Sequence, residues 1–461
     1  MGTVPESNLF TWPPTNHPAP LPPPTVESPS VMYPFNIPGP AFVSALDARV
    51  PLTIATVYAV AAKLLTRYNL SRGKRAWAIS RTRPFFAFVV LHNVFLAVYS
   101  AWTFWGMLGG MRRSVANPFT TGGGGLAATA DSLCRVHGGP GLGNSVYFDD
   151  ASRSWTSLSH AGGPAAPTLS QDGLPSPLQP GRLWNEGLAY YGWIFYLSKF
   201  YEVLDTFIIL AKGKPSSTLQ TYHHAGAMVC MWAGIRFMSA PIWIFVLVNS
   251  FIHALMYTYY TLTAFSIKVP VFVKRTLTTM QITQFVLGAS FAMVHSFVSY
   301  IIPLTITPTD NVDVTAAADA NTLVPSIAAG AFDSLRQLVL GTAGDHAPVK
   351  AATASATGAT EIIYVSQPCI VTAGETFAIF GNVLYLAPLT YLFVSFFIAS
   401  YLKRSNAASK IKGKGASGRR LSNVTLAEKA GWDAARGVEK EVYGGENMVM
   451  NPSSSNGSPT K

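Results

Sequence analysis

Apolar residues fall in long blocks along this chain, with shorter polar segments between them. The blocks are 50–66, 84–108, 187–211, 218–237, 241–265, 276–304 and 377–402. A helix needs about 20 mostly apolar residues to cross a bilayer, and each block approaches or exceeds that length. The pattern predicts an all-α integral membrane protein of seven transmembrane helices. Three regions lie outside this frame. Residues 1–49 are proline-rich (Pro13, Pro14, Pro18, Pro20, Pro22, Pro23 and Pro24) and are expected to stay extended and disordered. They lack the basic and apolar regions of a cleaved leader. Insertions at about 110–182 and 305–376 read as Gly/Ala/Ser/Thr-rich loops within a helical domain spanning 50–402. Residues 403–461 read as a basic, disordered tail.

Composition agrees. Of the 461 residues, 49% are hydrophobic and only 12% are charged, about half the usual share. That excludes an ordinary soluble surface. The net charge of +11 is unevenly placed. Arg67, Arg72, Lys74, Arg75, Arg81 and Arg83 crowd one loop, Lys212 and Lys214 the next, and Lys268, Lys274 and Arg275 a third. Lys403, Arg404, Lys410, Lys412, Lys414, Arg419 and Arg420 follow the last block. Segment 305–376 carries mainly acids. The positive-inside bias puts the C-terminus in the cytosol and the N-terminus outside it, on what would be the lumenal side of an internal membrane. Arg112 and Arg113 fall on the opposite side, in a long loop that carries less weight. The sequons at Asn69, Asn423 and Asn456 then face the cytosol and stay unmodified. Cys134 and Cys369 share the other compartment, where oxidation would let them pair. The sequence leaves their pairing open.

Polar groups inside a span are expensive, and so suggest function. The third block carries Lys199, Glu202, Asp205 and Thr206 at i, i+3, i+6 and i+7, on one helix face. The alternative is a salt-bridge stripe between helices. The fourth opens Gln220-Thr-Tyr-His223-His224, the pair lying about 8 Å into the helix. Neighbouring side chains diverge by roughly 100°, so one imidazole would act while the other braces it. The fifth holds Asn249, His253 and Tyr257 at i, i+4 and i+8, with Met256 and Tyr260 beside them. Asn249 and Tyr260 also suit interhelical hydrogen bonding. The sixth has Thr278, Gln281 and Gln284, and the second His92-Asn93. His295 lacks polar company and reads as core. Together these describe a chamber lined by imidazoles and open to the cytosol.

These boxes, in this order, resemble the ELO family of fatty-acid elongases, which includes very-long-chain and polyunsaturated 3-ketoacyl-CoA synthases, in a fungal-like version. The resemblance covers about 50–110, 183–305 and 376–402. It implies an endoplasmic-reticulum multi-pass enzyme without cofactor or metal. That enzyme joins acyl-CoA to malonyl-CoA, giving 3-ketoacyl-CoA, CO2 and CoA. It implies substrate-binding roles for Lys199, Glu202, Asp205, Thr206, Gln220, Asn249, Met256, Tyr257, Tyr260, Thr278, Gln281 and Gln284, and His92 and Asn93, polar groups of the second block, are expected to join them. The commonest histidine box begins with histidine where Gln220 stands here. Some members with glutamine act on polyunsaturated chains, so substrate class stays open.

No cysteine accompanies a base. Cys230 fits a small packing residue, so an imidazole must serve as nucleophile. His223 is expected to carry the acyl group as an acyl-imidazole. His224 and His253 would move protons and stabilise the enolate. Lys212, Lys214, Lys274 and Arg275 would meet CoA phosphates, or simply follow the positive-inside bias. Expected partners are the two CoA esters, membrane lipid, the ketoreductase, dehydratase and enoyl reductase of the cycle, and a second copy of the chain. Nucleic acid is not among them. A di-iron oxygenase is the first rival. Of nine histidines, His17, His137, His160 and His346 fall in the wrong compartment for it. A seven-span receptor or a lipid transporter would match the topology but leaves the polar stripes unexplained.

Overall fold

The computed structural model describes residues 7–14, 17–119, 124–157, 169–306 and 361–412. Its frame is helical. A short α1 (Gly39–Ala45) leads into α2 (Arg49–Ser71), followed by α3 (Arg83–Ser114) and α4 (Gly125–Cys134). A π-helical turn at Trp184–Leu188 opens α5 (Ala189–Tyr201), which is interrupted at Glu202 before α6 (Val203–Ala211). Then come α7 (Thr218–Arg236), α8 (Ile242–Ala264), α9 (Val271–His295) and α10 (Ala373–Lys412).

Among the described residues, five helices are long and apolar enough to cross a membrane: α2, α3, α8, α9 and the first part of α10. The other two predicted blocks are also helical. They are α5–α6, in pieces of 13 and 9 residues, and α7, whose 19 residues include Gln220, His223 and His224. Local chemistry sets the ends. Thr82 Oγ1 accepts from Phe85 N at 3.3 Å, and Pro84 occupies the first turn of α3. Ser217 Oγ accepts from Gln220 N at 3.1 Å to start α7.

The surface is apolar where lipid would lie. Val57, Val60 and Leu64 on α2 and Leu91, Val98 and Trp105 on α3 are exposed. Lys199, Glu202, Thr206, Gln220, His224 and His253 are buried. Polar-in and apolar-out is the distribution a bilayer selects.

Several boundaries differ from expectation. Block 276–304 is not one span. Its helix stops at His295, and Ser299–Ile306 (β4) pairs antiparallel with Glu361–Pro368 (β5). β-Branched and aromatic residues at the block's end carry apolarity in strand form. The first insertion begins after Ser114, and its described residues are folded. α4 is followed by an antiparallel sheet of His137–Gly138 (β1), Ser145–Asp149 (β2) and Ser154–Ser157 (β3). α10 continues past 402 to Lys412. The rest of the predicted tail, with Asn423 and Asn456, lies outside the described residues, as do His160 and His346.

The proline-rich segment is not loose. From residue 17 to 46 it is a strap across one end of the bundle, held by aromatic donors. Trp184 Nε1 donates to Leu21 O (3.0 Å), Trp102 Nε1 to Val31 O (2.8 Å) and Tyr191 OH to Met32 O (2.7 Å). Trp193, Tyr196 and Trp232 serve the carbonyls of Phe42, Ala45 and Leu46. Proline removes N–H donors but leaves carbonyls to accept, so the strap is satisfied from outside itself. Ile37, Phe42 and Leu46 complete the largest apolar core, with Trp184, Tyr196 and Ile235.

The same end carries a cap built from both insertions. Cys134 and Cys369 are disulfide-bonded, with Cα atoms 4.8 Å apart. Arg182 Nη2 pairs with Asp131 Oδ2 at 2.7 Å, and both side chains are almost fully buried. Arg135 donates to the carbonyls of Pro368 and Cys369.

Candidate active site

Six helices deliver polar side chains to one region, and the interruption at Glu202 lies within it. Lys199 Nζ donates to Glu202 Oε1 at 2.7 Å and to Asn249 Oδ1 of α8 at 3.3 Å. Ser198 Oγ donates to the same Glu202 oxygen at 3.1 Å. His253 Nδ1 lies 3.8 Å from it. Asp205 is held through both oxygens, by His92 Nε2 at 2.7 Å and Tyr257 OH at 2.6 Å. Thr206 pairs with Tyr58 of α2 at 2.8 Å and accepts from Gln220 Nε2 at 3.3 Å. Gln220 Oε1 is buried and has no hydrogen-bond partner among the described residues.

The two adjacent histidines diverge as helix geometry requires. His223 turns toward α10, where its Nδ1 lies 3.0 Å from Tyr385 OH. His224 turns toward α2, its ring 6.2 Å from that of Tyr58. Both still border a small void shared with Asp205, Gln220, His253 and Tyr257. His223 also borders a much larger cavity of about 330 Å³. That cavity is walled mainly by apolar side chains of α7, α8, α9 and α10, among them Ala227, Met231, Phe245 and Leu386, with Lys199, Asn249 and Gln284 adding polar groups. His223 is thus common to an apolar chamber and a histidine–carboxylate cluster.

Some expected members stand apart. Thr278 Oγ1 bonds back to Lys274 O at 3.1 Å within its own helix. Gln281 Nε2 faces Met256 Sδ at 3.3 Å, whereas Gln284 accepts from Asn249 Nδ2 at 3.4 Å on the cavity side. Two steps of three residues drift round the helix, so Thr279 and Thr283 line the cavity where Thr278 and Gln281 do not. Asn93 is buried but joins none of these bonds. Tyr260 packs on Tyr257 and Tyr259. His295 is buried and bonds to Phe291 O. Lys212 and Lys214 are half-buried beside the Asn69 clamp described below. Burial and then Lys214 lower the Lys212 pKa. Lys274 Nζ lies 5.4 Å from the Tyr259 ring centre, and the Arg275 side chain lies outside the described residues. Among those residues no cluster of three or more His, Cys, Asp or Glu could hold a metal ion.

Sequence reasoning passed over Tyr385, Tyr58, Tyr201 and Ser198. The one available signal for Tyr385 was Gly226, three residues after His223: a Cβ there would overlap the Tyr385 ring.

Residues 44–409 match the family described as GNS1/SUR4, or ELO. This chain belongs to that family. Among curated ELO-type relatives, Putative fatty acid elongase 2 of Schizosaccharomyces pombe is 32% identical over 137 residues, 29% of this chain and 37% of that protein. Very long chain fatty acid elongase 3 of Homo sapiens is 37% identical over 106 residues, 23% of this chain and 39% of that protein. Very long chain fatty acid elongase 7 of Drosophila melanogaster is 40% identical over 110 residues, 23% of this chain and 32% of that protein. The chain therefore aligns with about a third to two fifths of these relatives. No solved structure matches it. Family membership and the apolar helices together make it a multi-pass membrane protein.

Proposed function

We propose that this ELO-family chain is a condensing enzyme of fatty-acid elongation. It joins an acyl-CoA to malonyl-CoA, and His223 is the acyl carrier. The observation that carries the reading is the position of His223, at once in the wall of an apolar chamber and on a small void shared with His224, His253 and Asp205. An acyl chain needs the first surface and acyl transfer needs the second.

The steps balance. A ring nitrogen of His223 attacks the thioester carbonyl, the C–S bond breaks, and CoA thiolate leaves to take up a proton. Malonyl-CoA loses CO2, and the electron pair of the broken bond forms an enolate. That enolate attacks the acyl carbon, breaks the C–N bond and returns His223 to its starting state. His224 and His253 are placed to carry the proton and to oppose charge on the enolate. Lys199, itself held by Asn249, and Ser198 fix Glu202, which lies 3.8 Å from His253. Gln220, with its unfilled oxygen, is placed to accept from a substrate N–H.

Seven crossings, a cytosolic C-terminus and a lumenal cap are part of this reading. The charge bias and the disulfide on the cap side support them. An endoplasmic-reticulum location and work alongside the other enzymes of the cycle follow from the family. Lys212, Lys214, Lys274 and Arg275 would meet CoA phosphates at the cytosolic side.

The test is acyl-CoA-dependent release of labelled CO2 from malonyl-CoA by membranes holding the full chain. His223→Ala should lower it on the order of 10³-fold or more with insertion unchanged. Turnover near that of the parent would end the assignment.

A further inference from the structure

We propose that Tyr385 is a positioning residue that fixes the tautomer of His223. The inference rests on the acyl-imidazole reading above and adds the group that prepares the imidazole.

Tyr385 OH lies 2.9 Å from the backbone carbonyl of His223. A carbonyl oxygen only accepts, so the single phenol hydrogen is committed to it. The same phenol oxygen lies 3.0 Å from His223 Nδ1. With its hydrogen committed, it can only accept from that nitrogen. Nδ1 therefore carries the ring hydrogen and Nε2 keeps its lone pair. Among the described residues no hydrogen bond takes up Nε2. The ring is thus set with one nitrogen held and the other free to attack.

The surroundings are built to keep the phenol there. Tyr222 OH donates to the backbone carbonyl of Tyr385 at 3.2 Å, and the two rings lie 5.5 Å apart. Gly226, one turn along α7, leaves the space that the Tyr385 ring fills. When Nε2 accepts the acyl group the ring becomes cationic. The Nδ1–H bond to the phenol oxygen then strengthens, because its donor is charged. Tyr385 also borders the apolar cavity, but it favours the acylated state through its bond to His223 Nδ1.

The test compares Tyr385→Phe, Gly226→Ala and His223→Ala in the full-length protein. The readouts are steady-state kcat and KM for acyl-CoA, and CoA released in a single turnover without malonyl-CoA. Tyr385→Phe should slow CoA release and kcat about 10- to 100-fold, and KM should stay within about twofold of the parent. Gly226→Ala keeps the hydroxyl but displaces the ring, and should show the same split. It decides the matter if size-exclusion profiles show Tyr385→Phe misfolded. Parent-like CoA release in Tyr385→Phe, with His223→Ala inactive, overturns the positioning role and leaves the acyl carrier standing. A raised KM at unchanged kcat also overturns it. Condensation by His223→Ala removes the carrier, and the positioning role with it.

Discussion

Asp205 and His92 meet from separate helices, Oδ1 to Nε2, at 2.7 Å. The carboxylate accepts, so His92 donates from Nε2, and its Nδ1 is left to accept from Tyr201 OH at 3.3 Å. Tyr257 closes the second carboxylate oxygen. One carboxylate thus ties α3, α6 and α8 together beside the small void that His224 and His253 border. Asp205→Asn sets an amide N–H2 against a donor. Condensation should fall about 10- to 100-fold, as for other supporting hydrogen bonds. Activity at the parent rate in membranes with equal protein would refute that role.

Lys199 and Glu202 form a buried pair, with both side chains about 5% exposed or less. Removing one partner strands the other charge, which costs about 3–5 kcal/mol. Lys199→Met should therefore lower the melting temperature in detergent sharply. Lys199→Met with Glu202→Gln should recover most of the stability but not the activity. Equal melting of single and double variants would count against a coupled pair.

The Cys134–Cys369 bridge closes a loop of 235 residues. Loop-closure entropy gives such a bridge roughly 5 kcal/mol as an upper value, since anchored helices already restrict the unfolded chain. Cys134→Ser should expose the cap to protease while leaving the helical bundle protected. Identical digestion patterns with and without reductant would contradict this.

His17 Nδ1 accepts from Arg236 Nη2 at 2.8 Å, and Arg236 also donates to Pro18 O. Burial first, and then the guanidinium, lower the His17 pKa below its ordinary 6.5. The folded state therefore resists a proton that the detached strap would accept. The contribution is whole above about pH 6.5 and is lost as pH falls below it. Hydrogen exchange in residues 18–30 should quicken between about pH 7.5 and about 5.5 once corrected for intrinsic rates. His17→Gln, which still accepts, should flatten that dependence. An unchanged profile in the variant would place the switch elsewhere.

The helical frame was legible because lipid imposes long apolar runs, and the site because polar groups in those runs need a reason. Lys199, Glu202 and Asp205 are a helical stripe that the sequence prints in order. What escaped was information held by distant partners. The strap looked unstructured because prolines remove its own donors, yet its acceptors are met by Trp184, Tyr191 and Trp232, far along the chain. β4 was absorbed into a span because Tyr300, Ile301 and Ile302 are as apolar as helix residues. Tyr385 is one of 19 tyrosines, and only its place against His223 and Gly226 marks it out.

Asn69 is wholly buried. Its amide donates to Leu210 O at 2.8 Å and Lys214 O at 3.2 Å, and its oxygen accepts from Trp77 Nε1 at 2.8 Å. Every hydrogen-bonding atom of the side chain is engaged, so the sequon has no room for a sugar whichever way the chain is threaded.

The bridge between Cys134 and Cys369, and the guanidinium of Arg135 on the carbonyls beside it, join an early stretch of the polypeptide to a late one. During translation at about 5–20 residues per second, the first partner waits for some tens of seconds until the second emerges. Over that interval α4 and its small sheet exist without their other half. A message cut short before codon 369 would lose α10 as well as the second cysteine, and the remnant would carry an unpaired thiol at Cys134 that the cell's quality control could recognise.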